Sequence, residues 1–126
     1  MKLTTLEGMQ SEIFVPVTPE PVFTELKKPL SECKVAFITA GGIHKKSQTP
    51  FNTSGDFSYR TIEFDTPSSE LMVTHGGFDN SDINKDVNAM FPIDRLHELV
   101  DVGFIGSLSN ETYTFMGGGG NVEKFK

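Results

Sequence analysis

The sequence predicts an α/β fold, read as part of a doubly wound, mostly parallel sheet, and three stretches carry that expectation. KVAFITAGGIH (34–44) contains a continuous apolar run, Val35-Ala36-Phe37-Ile38, the pattern of a strand buried on both faces. RTIEFD (60–65) alternates apolar and polar residues and ends in a turn signal, as a second strand does. PIDRLHELVDVG (92–103) sets Ile93, Leu96, Leu99 and Val100 on one face of a helix.

Each element has a local reason. Residues 1–33 read as an arm, because Pro16, Pro19 and Pro21 lie close together, with one short helix expected over 20–28. The α/β domain takes 34–126. After the first strand, Thr39-Ala40-Gly41-Gly42 permits a tight turn, and in open α/β sheets that end of a strand is where ligands bind. Residues 45–59 are a long Ser-, Thr-, Asn- and Gly-rich loop. SSELMVTH adds a shorter apolar stretch ending at His75. Pro92 suits the first helical position, Asp94 the positive end of the helix dipole, and Gly103 a left-handed stop. FIGSL (104–108) resumes as a strand, and YTFMGGGGN (113–121) passes into a glycine run best read as a flexible linker. Strand, loop, strand, helix and strand make only part of a doubly wound sheet. The domain is therefore expected to be incomplete at its C-terminus, half of a larger α/β fold.

The bulk properties narrow the function. A chain of 126 residues suits one domain. Its net charge of −6, with scattered basic residues, argues against nucleic acid as a partner. A single cysteine, Cys33, excludes an intramolecular disulfide framework and suits a reducing compartment. The N-terminal stretch has no apolar signal core, and no apolar run approaches the ~20 residues of a membrane helix. A cytoplasmic location is expected.

Several residues invite chemistry. The Gly41-Gly42 turn has the flexibility to aim N–H groups at an anion, but it lacks a GxGxxG or Walker pattern and is favoured as structural. His44 and His75 each follow a predicted strand end. In one parallel sheet both would face a crevice, and with Asp79 or Asp86 they would suit a metal or acid/base work. The spacing matches no zinc pattern, so no metal is assigned. His97 is expected in solvent. Asp79, Asp82, Asp86 and Asn88 imitate a calcium loop but lack its central glycine and terminal glutamate, which leaves Asx-turn and N-cap roles. Cys33 lies at the opposite end of the first strand from the glycine turn and has no resolving partner.

VAFITAGGIHKKSQTPF, SGDFSYRTI, THGGFDNSDINKDVNAMFPIDRLHELVDVGFIGSL and FMGG together resemble the selenoprotein B component of the glycine/sarcosine/betaine and D-proline reductases. The similarity covers roughly residues 34–118 and is nearest the smaller, D-proline type. It implies reductive ring opening of D-proline, or reductive cleavage of glycine-type substrates, alongside a pyruvoyl-containing partner subunit and/or a chain supplying the missing half, in a hetero-oligomer. It also implies attack by a selenocysteine or cysteine, reactive as its anion. In the family that nucleophile lies downstream of the FMG block, so none is assigned here, and no cofactor is expected in this chain. By matched position the site-shaping candidates are Gly41, Gly42, His44, Asp56, Arg60, His75, Asp79, Asp86, Asn88 and Arg95. Two other functions compete: a non-catalytic interaction or ligand-binding module that keeps the fold, and a divalent-metal hydrolase using His44, His75 and Asp79.

Overall fold

A computed structural model describes residues 23–117. The expected glycine linker beyond Gly117 and most of the N-terminal arm lie outside them. Residues 23–28 are not helical, and the arm's described end is instead a 3₁₀ turn, Leu30–Glu32. It ties into the domain where the Gly106 N–H donates to the Leu30 carbonyl (2.9 Å) and the Ser107 N–H to that of Cys33 (3.1 Å).

Six short strands and one helix follow: β1 (Lys34–Val35), β2 (Ile43–Lys45), β3 (Tyr59–Glu63), β4 (Leu71–Val73), α1 (Ile93–Asp101), β5 (Ser107–Leu108) and β6 (Glu111–Phe115). β1 pairs with β5 in parallel, whereas β2–β4 and β3–β6 are antiparallel. The mixed α/β character is as expected, but the mostly parallel sheet is not what these residues form. A parallel neighbour needs a crossover of a dozen or more residues, usually a helix, and α1 is the one α-helix among the described residues. It serves the β1–β5 pair.

Beyond β1 the chain stays extended, and Thr39 bridges Thr114 of β6 in parallel. Then it turns at Gly42. The Gly42 N–H donates to the Phe115 carbonyl of β6 (2.8 Å), while its carbonyl accepts from the Thr74 N–H just past β4 (2.9 Å). Its φ is +72°, and a Cβ there would run into the Thr74 carbonyl oxygen. One residue thus joins two strand pairs in a conformation and a space that favour glycine. Beside it, the buried Thr114 hydroxyl donates to the Ile43 carbonyl at 2.6 Å, tying β6 to β2.

The core gathers Ile43, Ile62, Phe64, Leu71, Val73, Val87, Phe91 and Ile93. Phe91 is fully buried, against Phe37 (5.5 Å between centroids) and Phe64 (6.0 Å). Burying one such ring stabilises the fold by about 1.5–3 kcal/mol. Helix α1 contributes Ile93 and Leu96 from its apolar face and ends before Gly103, whose φ of +71° confirms the left-handed stop.

The segment between β4 and α1 is fastened by asparagines. Asn84 pairs with both backbone groups of Val73, accepting from its N–H (2.6 Å) and donating to its carbonyl (3.0 Å). Asn80 does the same for His75, accepting at 3.0 Å and donating at 2.9 Å. Residues four apart on a helical turn stack one above the other, and the turn is closed by Asn84 N–H to Asn80 carbonyl (3.0 Å). Two amides therefore face alternate residues of an extended edge, in place of a further strand.

Gly42→Ala is expected to cost about 3 kcal/mol or more in urea unfolding, because strain and collision combine. Gly103→Ala, equally left-handed but with nothing within 4 Å of the added Cβ, is expected to cost about 1–2 kcal/mol. Equal losses would remove the close approach from the account. Asn84→Ala should cost about 2 kcal/mol by stranding the N–H and carbonyl of buried Val73. Asn84→Asp, which keeps the acceptor and loses the donor, should fall between.

Candidate functional site

The sequence-selected residues do not form one cluster. Helix and loop geometry sends several of them elsewhere. Arg95 lies on the exposed face of α1 and pairs with Glu98 at 2.6 Å. Asp86 caps the 3₁₀ turn Val87–Ala89 by accepting from the Asn88 N–H (3.0 Å). Asn88 in turn caps α1: its Oδ1 accepts from the Asp94 N–H (3.0 Å) and its Nδ2 donates to the Asp94 carboxylate (2.7 Å). That hydrogen bond, seconded by Ser68, holds the Asp94 carboxyl below the usual carboxylate range. Pro92 accordingly sits one place before the first helical residue, and Asn88 does the capping that its side chain cannot. Asp79 closes an Asx turn on the Ser81 N–H (2.9 Å), which lowers its pKa.

The two histidines have opposite fates. His44 lies within β2 and is fully buried. Its Nδ1 lies 2.8 Å from the Lys45 carbonyl and its Nε2 2.9 Å from the Thr74 hydroxyl. A carbonyl only accepts, so in the neutral ring Nδ1–H donates to it and Nε2 accepts from Thr74. Both nitrogens are committed, and the ring packs edge-on to Phe51 at 6.0 Å. The expectation that His44 shares a crevice with His75 fails, because β2 and β4 are antiparallel and place this ring inward. His97 is exposed, as expected, and its Nε2 also lies 2.6 Å from the Phe64 carbonyl, which ties α1 to the residue after β3.

His75 is presented differently. Its backbone is clamped by Asn80, its ring stacks on Phe78 at 4.3 Å, and its Nδ1 accepts from the Gly77 N–H at 2.8 Å. In the neutral ring the proton is therefore on Nε2, for which no partner occurs among the described residues. Next to it, a Cβ on Gly76 would collide with the Thr53 carbonyl, so the 74–77 loop rests directly on the 52–55 loop.

That second loop is held by Asp56 and Arg60. The Asp56 carboxylate accepts from the N–H groups of Asn52 (2.9 Å) and Ser58 (2.8 Å) and from the Ser58 hydroxyl. Arg60 donates to the carbonyls of Thr49 (2.9 Å), Pro50 (3.3 Å) and Tyr59 (3.0 Å) and lies over the Phe51 ring at 4.3 Å. Partial burial would raise the Asp56 pKa, but the Ser58 and Asn52 hydrogen bonds with the Arg60 charge outweigh it, and the net shift is downward.

Where the two loops meet the exit of β6 there is a cleft of about 240 Å³, lined by Thr53, Ser54, Gly55, His75, Gly76, Gly77 and Met116. Two other clefts, about 320 and 450 Å³, open beside Lys46 and Asp86 and beside Glu63 and His97. The smallest of the three is lined by His75 and lies beside the glycine turn, since a Cβ on Gly42 would sit 3.3 Å from that of His75. The turn itself is no anion cradle. The Gly41 N–H is taken by the Thr39 hydroxyl (3.1 Å) and the Gly42 N–H by Phe115. Nor do the described residues contain a group of three or more His, Cys, Asp or Glu placed to hold a metal. Cys33 is buried, with Sγ 3.4 Å from the Pro29 carbonyl. Sequence reasoning missed Asn80, Asn84, Thr53 and Phe78; the spacing of four between Asn80, Asn84 and Asn88 was the available signal.

Comparison with known proteins places these features in a family. The family model described as glycine/sarcosine/betaine reductase selenoprotein B matches residues 2–126. D-proline reductase subunit gamma of Acetoanaerobium sticklandii is 50% identical over 123 residues, covering 98% of this chain and 51% of that protein. Glycine reductase complex component B subunit gamma of Symbiobacterium thermophilum is 35% identical, with 94% of this chain and 28% of the relative covered. Sarcosine reductase complex component B subunit beta of Peptoclostridium acidaminophilum is 30% identical, covering 94% and 29%. The chain thus spans about half the length of the first relative and less of the others. No solved structure matches. The chain belongs to the glycine/sarcosine/betaine reductase selenoprotein B family.

Proposed function

We propose that the chain is the N-terminal part of a D-proline reductase B-type subunit, taking part in reductive cleavage of an amino acid. The observation that carries this reading is the 50% identity to D-proline reductase subunit gamma across nearly the whole chain. The glycine- and sarcosine-reductase relatives are less similar, which favours the cyclic substrate over the glycine type. The pyruvoyl group belongs to a partner subunit in this reading, and no cofactor is assigned to this chain.

The cleft at His75 is then the chain's contribution to the reaction site. In a reductive cleavage negative charge develops on the leaving nitrogen, and a positioned imidazole N–H is a suitable hydrogen-bond donor to it. His75 offers Nε2 while its other nitrogen and its ring face are fixed by Gly77 and Phe78. The attacking selenium or sulfur is supplied by polypeptide outside the described residues, since Cys33 is buried against the carbonyls of Lys28 and Pro29.

The reading is tested by isolating the chain with an affinity tag from its native cells and assaying the co-purifying complex for reduction of D-proline, glycine and betaine. D-proline turnover with a pyruvoyl-containing partner is expected. A complex without a reductase partner, or inert towards all three, would overturn it. Within an active complex, His75→Ala is expected to lower turnover about tenfold or more while the melting temperature stays put. His44→Ala should do the reverse, lowering stability by about 3 kcal/mol because the Thr74 hydroxyl and Lys45 carbonyl lose a buried partner. Unchanged turnover with His75→Ala would remove that residue from the site.

A further inference from the structure

The strand that opens the domain is apolar on both sides, yet only one side is covered. Along residues 34–40 burial alternates: Val35, Phe37 and Thr39 face inward, while Ala36, Ile38 and Ala40 are exposed. The parallel bridge Thr39–Thr114 and the β3–β6 register place Ile38 and Ala40 on the same face as Tyr113, Phe115 and Tyr59. Ile38 is 64% exposed, Tyr59 57% and Tyr113 41%. The aromatic rings already touch, with Tyr59 at 5.5 Å from Tyr113 and 6.1 Å from Phe115. Glu63 and Glu111, paired across the two strands, close one end of this face, with Glu63 held by Lys45 (2.6 Å) and Glu111 by the Tyr113 hydroxyl (2.9 Å).

Exposed apolar and aromatic side chains gathered on one face in this way mark an interface. A strand with no polar alternation belongs to a sheet covered on both sides, typically by helices. The relative at 50% identity has about as much chain again beyond the part this sequence matches. We propose that the outward face of β3, β6 and the 36–40 segment seats that unmatched half of the family's polypeptide, as a second layer with an apolar helix face over Ile38, Tyr59 and Tyr113. The inference rests on family membership and not on the reductase reading, so a failed activity assay leaves it standing.

Cysteine labelling tests it. Ile38→Cys and Tyr113→Cys are made singly in this chain, and cysteines are placed at the aligned positions of the intact A. sticklandii D-proline reductase subunit gamma. Maleimide reaction at the engineered peptide is followed by mass spectrometry. Cysteine at Lys85, whose side chain is 76% exposed, sets the unhindered rate in both proteins. Labelling near that rate in this chain and about tenfold slower or more in the intact relative is expected. Equal, unhindered rates in both proteins would show the face open in the whole subunit and overturn the proposal. Protection in this chain alone, together with a dimer mass, would assign the face to a second copy and overturn it as well. Both sites are on the surface here, so either variant folds; a cooperative melt verifies this before labelling.

Discussion

Gly42 is the residue on which the rest of the arrangement turns. Its N–H belongs to β6 and its carbonyl to the chain just past β4, so two separate strand pairs meet in one peptide unit. Neither bond survives if the backbone leaves the left-handed region, and a Cβ cannot be admitted because the Thr74 carbonyl is already there. Everything near the cleft inherits its place from this junction. Thr74 is positioned to hold His44, and His75 follows directly after Thr74. Met116 follows Phe115, the other partner of Gly42. The geometry of the cleft is therefore set by backbone hydrogen bonds, with the apolar core lying behind them.

What could be read in the sequence was what depends on local pattern. The helix over 92–103 was legible because one apolar face, a proline and a glycine all agree; the structure starts it after Pro92, ends it at Asp101 and hands the cap to Asn88. The strand at 60–65 was legible from alternation; it starts one residue earlier and ends two residues earlier. The direction of strand pairing was not legible, because it depends on where the chain reverses. Gly42 diverts the chain from β6 towards β4, and residue pattern carries no sign of which partner it will meet. That the second strand system is antiparallel followed from this diversion, and with it the burial of His44.

The site shows the same division. Asp56, Arg60, Asp86 and Asn88 were identified as polar residues in a crowded stretch, and each turns out to hold backbone in place. Such residues are indistinguishable from catalytic ones by type alone, since a carboxylate that accepts two N–H groups and one that accepts a substrate proton are written with the same letter. Only the partners separate them. His44 and His75 make the point side by side: the first, in β2, has both nitrogens satisfied in the interior, and the second, in the loop after β4, has one nitrogen fixed and one without a partner among the described residues.

Asn80 and Asn84 explain how a loop can be rigid enough to present that nitrogen. A sheet edge left open exposes unpaired N–H and carbonyl groups, which invite association with other chains. Here two amide side chains satisfy the edge at Val73 and His75. The pairing uses both donor and acceptor of each amide, so it fixes register as a strand would, yet it leaves the segment free to turn away at Gly76 and Gly77. A true strand at this position would have continued past His75 and covered the cleft. A loop without the asparagines would have left His75 to move with solvent. The device also explains why the stretch is dense in Asn and Asp without forming a metal site. Amide nitrogens are donors, Asp79 and Asp86 are engaged in a turn and a cap, Asp82 pairs with Lys85, and the histidine that remains is held by a glycine N–H and a phenyl ring. Polar density in this segment serves to position one imidazole.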